Sequence, residues 1–128
     1  MVIQRMVLRL KNKSLLKGTT RNFSPTKTSF HLTLLTGKMV TVDLENLKAA
    51  FFVKNFKGDK DYKYTYRDYI PWGGNKVKVQ FIDGEVMIGY TSHYPYGDQG
   101  FFIKPADLQG NNERVYVVAS SAENITFL

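Results

Sequence analysis

Residues 77–91 read VKVQFIDGEVMIGYT, and residues 6–20 read MVLRLKNKSLLKGTT. Overlaid at an offset of 71, Met6 meets Val77, Leu8 meets Val79 and Leu10 meets Phe81. Asn12-Lys13 meets Asp83-Gly84, Leu15 meets Val86, Gly18 meets Gly89 and Thr20 meets Thr91. In both stretches apolar residues alternate with polar ones, the period-2 pattern of half-buried strands. Asp83-Gly84 is a strong hairpin turn, because the tight turn needs positive φ at its centre. Asn12-Lys13 is its weaker counterpart, Asn tolerating positive φ better than most residues.

The match runs on. Pro25 lies near Pro95, Phe30 meets Phe101 and Leu32 meets Ile103. After a four-residue insertion within residues 106–112, Val40 and Val42 meet Val115 and Val117, and Phe52 meets Phe127. Each half therefore predicts the same series of five short strands. In the first half they are 6–11, 14–21, 29–35, 39–43 and 50–53. In the second they are 77–81, 85–90, 100–104, 114–119 and 124–128. A helical turn is expected before each last strand, at 44–49 and 120–123. The expected fold is all-β: two tandem five-stranded small barrels, at residues 1–53 and 76–128, with a linker at 54–75. Each barrel alone is near the lower limit for independent stability, so the two should pack together.

The hairpin of residues 77–91 resembles the first motif of the Sm/Lsm family of RNA-associated proteins. The resembling features are the apolar alternation, Asp83-Gly84, and Gly89, echoed by Asn12, Lys13 and Gly18. The resemblance implies an Sm-like, broadly SH3-like barrel. It also implies pairing between barrels through their fourth and fifth strands. Residues 30–34, FHLTL, look like the family's third strand with His31 in place of its Asn, and the family's Arg-Gly motif is absent from both halves. The family's base-contacting residues are thus not carried over. The segments GEVMIGYT (84–91), GFFIKPAD (100–107), NNERVYVV (111–118) and FFVKNFKGDKDY (51–62) further resemble a bacterial domain family of unknown function.

A chain of 128 residues, 43% hydrophobic and 23% charged, suits one packed globular unit or two small ones. Without cysteine it has no disulfide framework and no thiol nucleophile, which fits a reducing cytoplasm. No run approaches the length of a membrane span, and Arg5 and Arg9 break the N-terminal apolar stretch, arguing against a secretory signal. The net charge of +7 is uneven: +7 over residues 1–53, +2 over 54–75 and −2 over 76–128. Such asymmetry either attracts an anionic partner or simply keeps a surface solvated.

His31 and His93 stand at non-equivalent places in the repeat, with no metal-ligand spacing between them and no nucleophile elbow nearby. No cofactor, metal or catalytic centre is expected, and His31 is read as an outward strand residue. Gly73-Gly74 precedes a strand rather than a helix, so it is read as a flexible connection rather than a phosphate cradle.

The linker, KNFKGDKDYKYTYRDYIPWGGN, interleaves Lys54, Lys57, Lys60, Lys63 and Arg67 with Phe56, Tyr62, Tyr64, Tyr66, Tyr69 and Trp72. Cations neutralise phosphates and rings stack on bases, the combination a single-strand binder uses. The alternative is an extended strap across the barrels, with tyrosine rings closing their ends and lysine stems in water. Tyr94 and Tyr96, flanking Pro95, form a second candidate contact surface. Glu113 and Arg114 read as part of a polar, solvated turn. The expected function is a non-catalytic binding or adaptor module for a protein partner; the alternative is binding of single-stranded RNA. Strand edges at 39–43 and 115–118 would invite pairing unless covered, so a homo-oligomer is a further expectation.

Overall fold

The computed structural model describes residues 3–92 and 99–128. The chain is all-β: ten antiparallel strands in one continuous open sheet. The strands are β1 Gln4–Leu10, β2 Leu15–Thr20, β3 Ser29–Leu34, β4 Met39–Asp43, β5 Leu47–Val53, β6 Asn75–Phe81, β7 Val86–Thr91, β8 Gly100–Pro105, β9 Asn112–Val118 and β10 Ala122–Phe127. The order across the sheet is β10-β6-β7-β8-β9-β5-β1-β2-β3-β4. Each half thus has the same internal order, its last strand beside its first.

The repeat is visible in the backbone. Lys13 and Gly84, aligned in the sequence, both have positive φ, at 74° and 92°. Gly18 pairs with Leu34, and its counterpart Gly89 pairs with Pro105. At both places the second and third strands cross closely, and a Cβ would sit well under 3.0 Å from the facing backbone carbonyl. Short 3₁₀ turns at Leu44–Asn46 and Ala119–Ser121 precede the last strands. They are shorter than the expected helical turns, because residues 47–49 are drawn into β5 and residues 122–123 into β10.

The two five-stranded repeats, expected to pack together, meet at the centre of the sheet in a seam. β5 pairs with β9, Ala50 facing Tyr116 and Phe51 facing Val115. All seven residues of β5 are buried. The seam strands serve two cores, one on each face. Ala50 and Phe52 join Tyr116 and Val118 in the core with Met6, Leu8, Phe30 and Leu32. Ala49, Phe51 and Val53 join Val115 and Val117 in the core with Val77, Val79, Phe81 and Phe101. Each buried Val, Leu, Ile, Met or Phe side chain among them contributes about 1.5–3 kcal/mol. Residues 115–118, expected as an exposed edge, are therefore covered by β5, and the strands at the two ends of the sheet are β4 and β10.

A buried lysine braces the seam. Lys48 forms ion pairs with Asp83 and Glu85 while its ammonium lies 4.6 Å from the centre of the Phe81 ring. Ser121 Oγ donates to the carbonyls of Lys48 and Val118 at 2.7 Å. Among the described residues no helix is long and apolar enough to cross a membrane.

Candidate binding cleft beside the seam

The linker runs as an extended strap with alternating faces. Tyr62, Tyr64, Tyr66, Asp68 and Ile70 point inward, whereas Lys63, Thr65, Arg67 and Tyr69 are exposed. The stack of Tyr64 on Tyr66, 5.5 Å apart and 15° from parallel, lies over the second half. Tyr62 meets Tyr64 edge-on at 5.2 Å, and Gly110 leaves room for the Tyr64 ring. Phe56 and Tyr66 pack on the second core.

Polar latches hold the strap. Asp107, buried, accepts from Tyr62 Oη at 2.6 Å and from the Thr65 N–H at 3.0 Å. Asp68 accepts from the Leu108 N–H at 2.7 Å, and Lys54 Nζ donates to the Leu108 carbonyl at 2.7 Å. Asn111 exchanges hydrogen bonds with the backbone of Asn55 at 3.1 and 2.9 Å. The hydrogen bond to Asp107 and burial push Tyr62 up to about 12, so its hydroxyl remains a donor. Burial pushes Tyr66 up to about 12 as well.

Asp107 is pulled in two directions. Burial alone would raise its pKa, but the bonds from Tyr62, Thr65, Gln109 and Gly110 outweigh it and hold the carboxyl below the usual aspartate value. A depressed folded pKa means that this stabilisation is present above the ordinary carboxylate pKa and fades as pH falls through the lowered value. Asp83, held down by Lys48, acts in the same direction. The chain should accordingly lose stability in acid. Asp107→Asn should cost about 2 kcal/mol near neutral pH and flatten the acid limb. Urea midpoints across a pH series check this; an unchanged acid slope in the variant would remove Asp107 as its source.

The connection at Gly73-Gly74 is a fixed turn rather than a flexible one. The Gly73 N–H donates to the Ile70 carbonyl at 3.0 Å, and Gly74 has φ 89°. Added Cβ atoms would collide with the Tyr90 side chain and the backbone of Thr91 and Ser92. This turn presents Trp72, 68% exposed, over a cleft of about 540 Å³ beside the seam.

Arg114 lies in the wall of that cleft. Its guanidinium sits 4.1 Å from the Phe52 ring centre and 4.6 Å from that of Phe102, within the range of cation–π attraction. Burial lowers its pKa from the usual arginine value, while Glu113 acts weakly the other way. Among the described residues the only ion pairs are those of Lys48, so no carboxylate pairs with Arg114. Arg5 and Lys104 also line the cleft, giving three cations against the one carboxylate of Glu113. The cleft thus offers a preorganised, partly desolvated guanidinium and, elsewhere in its lining, an exposed indole, a combination suited to an anion attached to an apolar or planar group.

Of the residues singled out in the sequence, Trp72 reaches this cleft. Tyr62, Tyr64 and Tyr66 are used in fastening the strap, as is Lys54. Lys57, Lys60, Lys63 and Arg67 are exposed, whereas those tyrosines are half-buried. Tyr94 and Tyr96 lie outside the described residues. Arg114, expected to be solvated, is instead half-buried on two rings. One signal could have found it: in the repeat it occupies the slot of Met39, an apolar position.

Fold and cleft together define an all-β protein with a cleft at the meeting of two repeated halves. The chain belongs to a family of unknown function, DUF6982, whose model matches residues 3–128. Searches of curated proteins and of solved structures find no match.

Proposed function

We propose that this chain is a non-catalytic binding module that grips an acidic segment of a protein partner in the cleft under Trp72. The observation that carries this reading is Arg114, held against the rings of Phe52 and Phe102 with no carboxylate of its own among the described residues. A guanidinium already stripped of part of its water gains strongly from an incoming carboxylate. The cleft supplies cations and ring faces, which recognise a ligand rather than transform it. The accompanying fold reading is two Sm-like, SH3-like five-stranded units fused at one edge, supported by the strand order occurring twice. The lack of cysteine supports a reducing cytoplasm as its compartment.

The alternative, single-stranded RNA, is favoured by the exposed cations Lys57, Lys60, Lys63 and Arg67. It is weakened by the inward turn of Tyr62, Tyr64 and Tyr66, which removes the successive stacking platforms such a groove needs.

Trp72 is the sole tryptophan and reports directly on the cleft. Its emission should change on titration with a peptide of alternating Glu and Phe, with affinity falling as salt rises. Arg114→Met should weaken that binding by at least about tenfold, or ~1.4 kcal/mol. Lack of any response to the peptide would overturn the reading. So would tighter binding of oligo(U) that survives Arg114→Met.

A further inference from the structure

The strands that meet at the seam have counterparts at the two ends of the sheet: β10 corresponds to β5, and β4 to β9. At an offset of 75, Phe52 falls on Phe127, Val53 on Leu128, Arg114 on Met39 and Tyr116 on Thr41. The cleft beside the seam has a counterpart too. A cavity of about 390 Å³ is lined by Thr19, Arg21, His31, Thr33 and Met39. Advanced by 71, the first four fall on Tyr90, Ser92, Phe102 and Lys104, all of which line the first cleft.

The second cavity lacks one wall. In the first cleft that wall is Phe52 and Val53 of β5. At the corresponding place beyond β4 the sheet ends. The edge is prepared for pairing. The Leu34 N–H donates to Lys38 and the Leu44 N–H to Thr28, so ladder alternation turns the N–H groups of Met39, Thr41 and Asp43 away from β3. Met39 is 63% exposed, and at the other end of the sheet Phe127 and Leu128 are 51% and 62% exposed.

We infer that a second copy of this chain supplies the missing wall. Its β10 pairs antiparallel with β4 and sets Phe127 and Leu128 where Phe52 and Val53 stand in the seam. The seam dictates the register. Ala50 facing Tyr116 and Phe52 facing Arg114 become Ile125 facing Thr41 and Phe127 facing Met39. Thr126 replaces Phe51 and Asn124 replaces Ala49, so the contact between copies buries less apolar surface than the seam and dissociates on dilution. The contact is heterologous, each copy offering a different edge, and it builds rings or open strings rather than face-to-face dimers. The completed cavity presents Arg21 and His31 in place of Ser92 and Phe102, and Thr33 and Met39 in place of Lys104 and Arg114, so its cations stand at different places from those of the first.

The cysteine-free chain makes the test direct. Met39→Cys and Phe127→Cys are prepared separately, one carrying a mass tag, and treated with a short thiol–thiol cross-linker. The mixture should yield a cross-linked heterodimer, and neither variant alone should yield a homodimer. Thr41→Pro, which deletes an outward N–H without touching the β3 ladder, should abolish association and leave Trp72 emission unchanged. Homodimers from either variant alone would overturn the proposal. So would absence of the mixed product, or a monomer mass for the unmodified chain by light scattering up to millimolar concentration.

Discussion

Replacing Gly89 by alanine is expected to abolish the folded state. Gly89 lies where β7 crosses β8, and an added Cβ would sit well under 3.0 Å from the Lys104 carbonyl oxygen and the Ile103 side chain. The carbonyl belongs to the backbone of a paired strand, so no side-chain rotation relieves the clash. Parting the strands would break their two registered pairs and open the core containing Ile103. The cost is several kcal/mol, comparable with the roughly 5–15 kcal/mol that hold a domain of this kind together. Gly18→Ala meets the Thr33 carbonyl in the same way and should be as severe. Gly84→Ala is the control: nothing lies within 4 Å, and the penalty is that of a positive φ, about 1 kcal/mol. Urea denaturation followed by circular dichroism separates them. A Gly89→Ala midpoint no lower than that of Gly84→Ala would show that the crossing is not as tight as described.

Val117→Asp should unfold both halves together. Val117 is fully buried in β9, opposite Ala49 across the seam and Phe101 on the other side. A lone carboxylate there must either stay charged without a partner or take up a proton, and each route costs several kcal/mol. The damage is not confined to the second core, because β9 also carries Tyr116 and Val118 into the first. Loss of β9 uncovers β5, and through β5 the first half loses the cover of its β1 neighbour. Amide hydrogen exchange should therefore show β1–β4 and β6–β10 losing protection in one step. Retained protection across β1–β3 in this variant would mean that the halves fold independently.

The repeat and its turns could be read from the residues because each rests on local chemistry. Asp83-Gly84 and Asn12-Lys13 fix the hairpins, and the alternation around them fixes which residues enter a core. The seam was harder to see. Pairing of β5 with β9 joins residues far apart in sequence, and each strand also makes sense as the end of its own unit. Its trace is the unbroken apolar character of Ala49–Val53 and Val115–Val118, which reads as burial on both faces rather than one. The strap was legible as an extended, tyrosine-lined segment, but which way the rings point depends on Asp107, Gly110 and Asn111, which lie in the region where the second copy of the repeat carries an insertion relative to the first. Arg114 was missed for a related reason. A charged residue beside Asn111 and Glu113 suggests water, and only β5 arriving from the other half provides the Phe52 ring on which it rests.

The seam also changes what mutation can do to this molecule over time. In an assembly of identical subunits one gene writes both sides of every interface, so any substitution at an edge appears at all copies at once. Here the seam joins two edges encoded at separate places within one gene. Phe51 and Val115 can be kept apolar while their counterparts Thr126 and Val40 drift toward what the outer ends require. Covalent linkage holds the seam partners at a high mutual concentration whatever the abundance of the protein. Duplication followed by fusion would thus free the outer edges and the second cavity to acquire chemistry of their own, as Arg21 and His31 opposite Ser92 and Phe102 already illustrate.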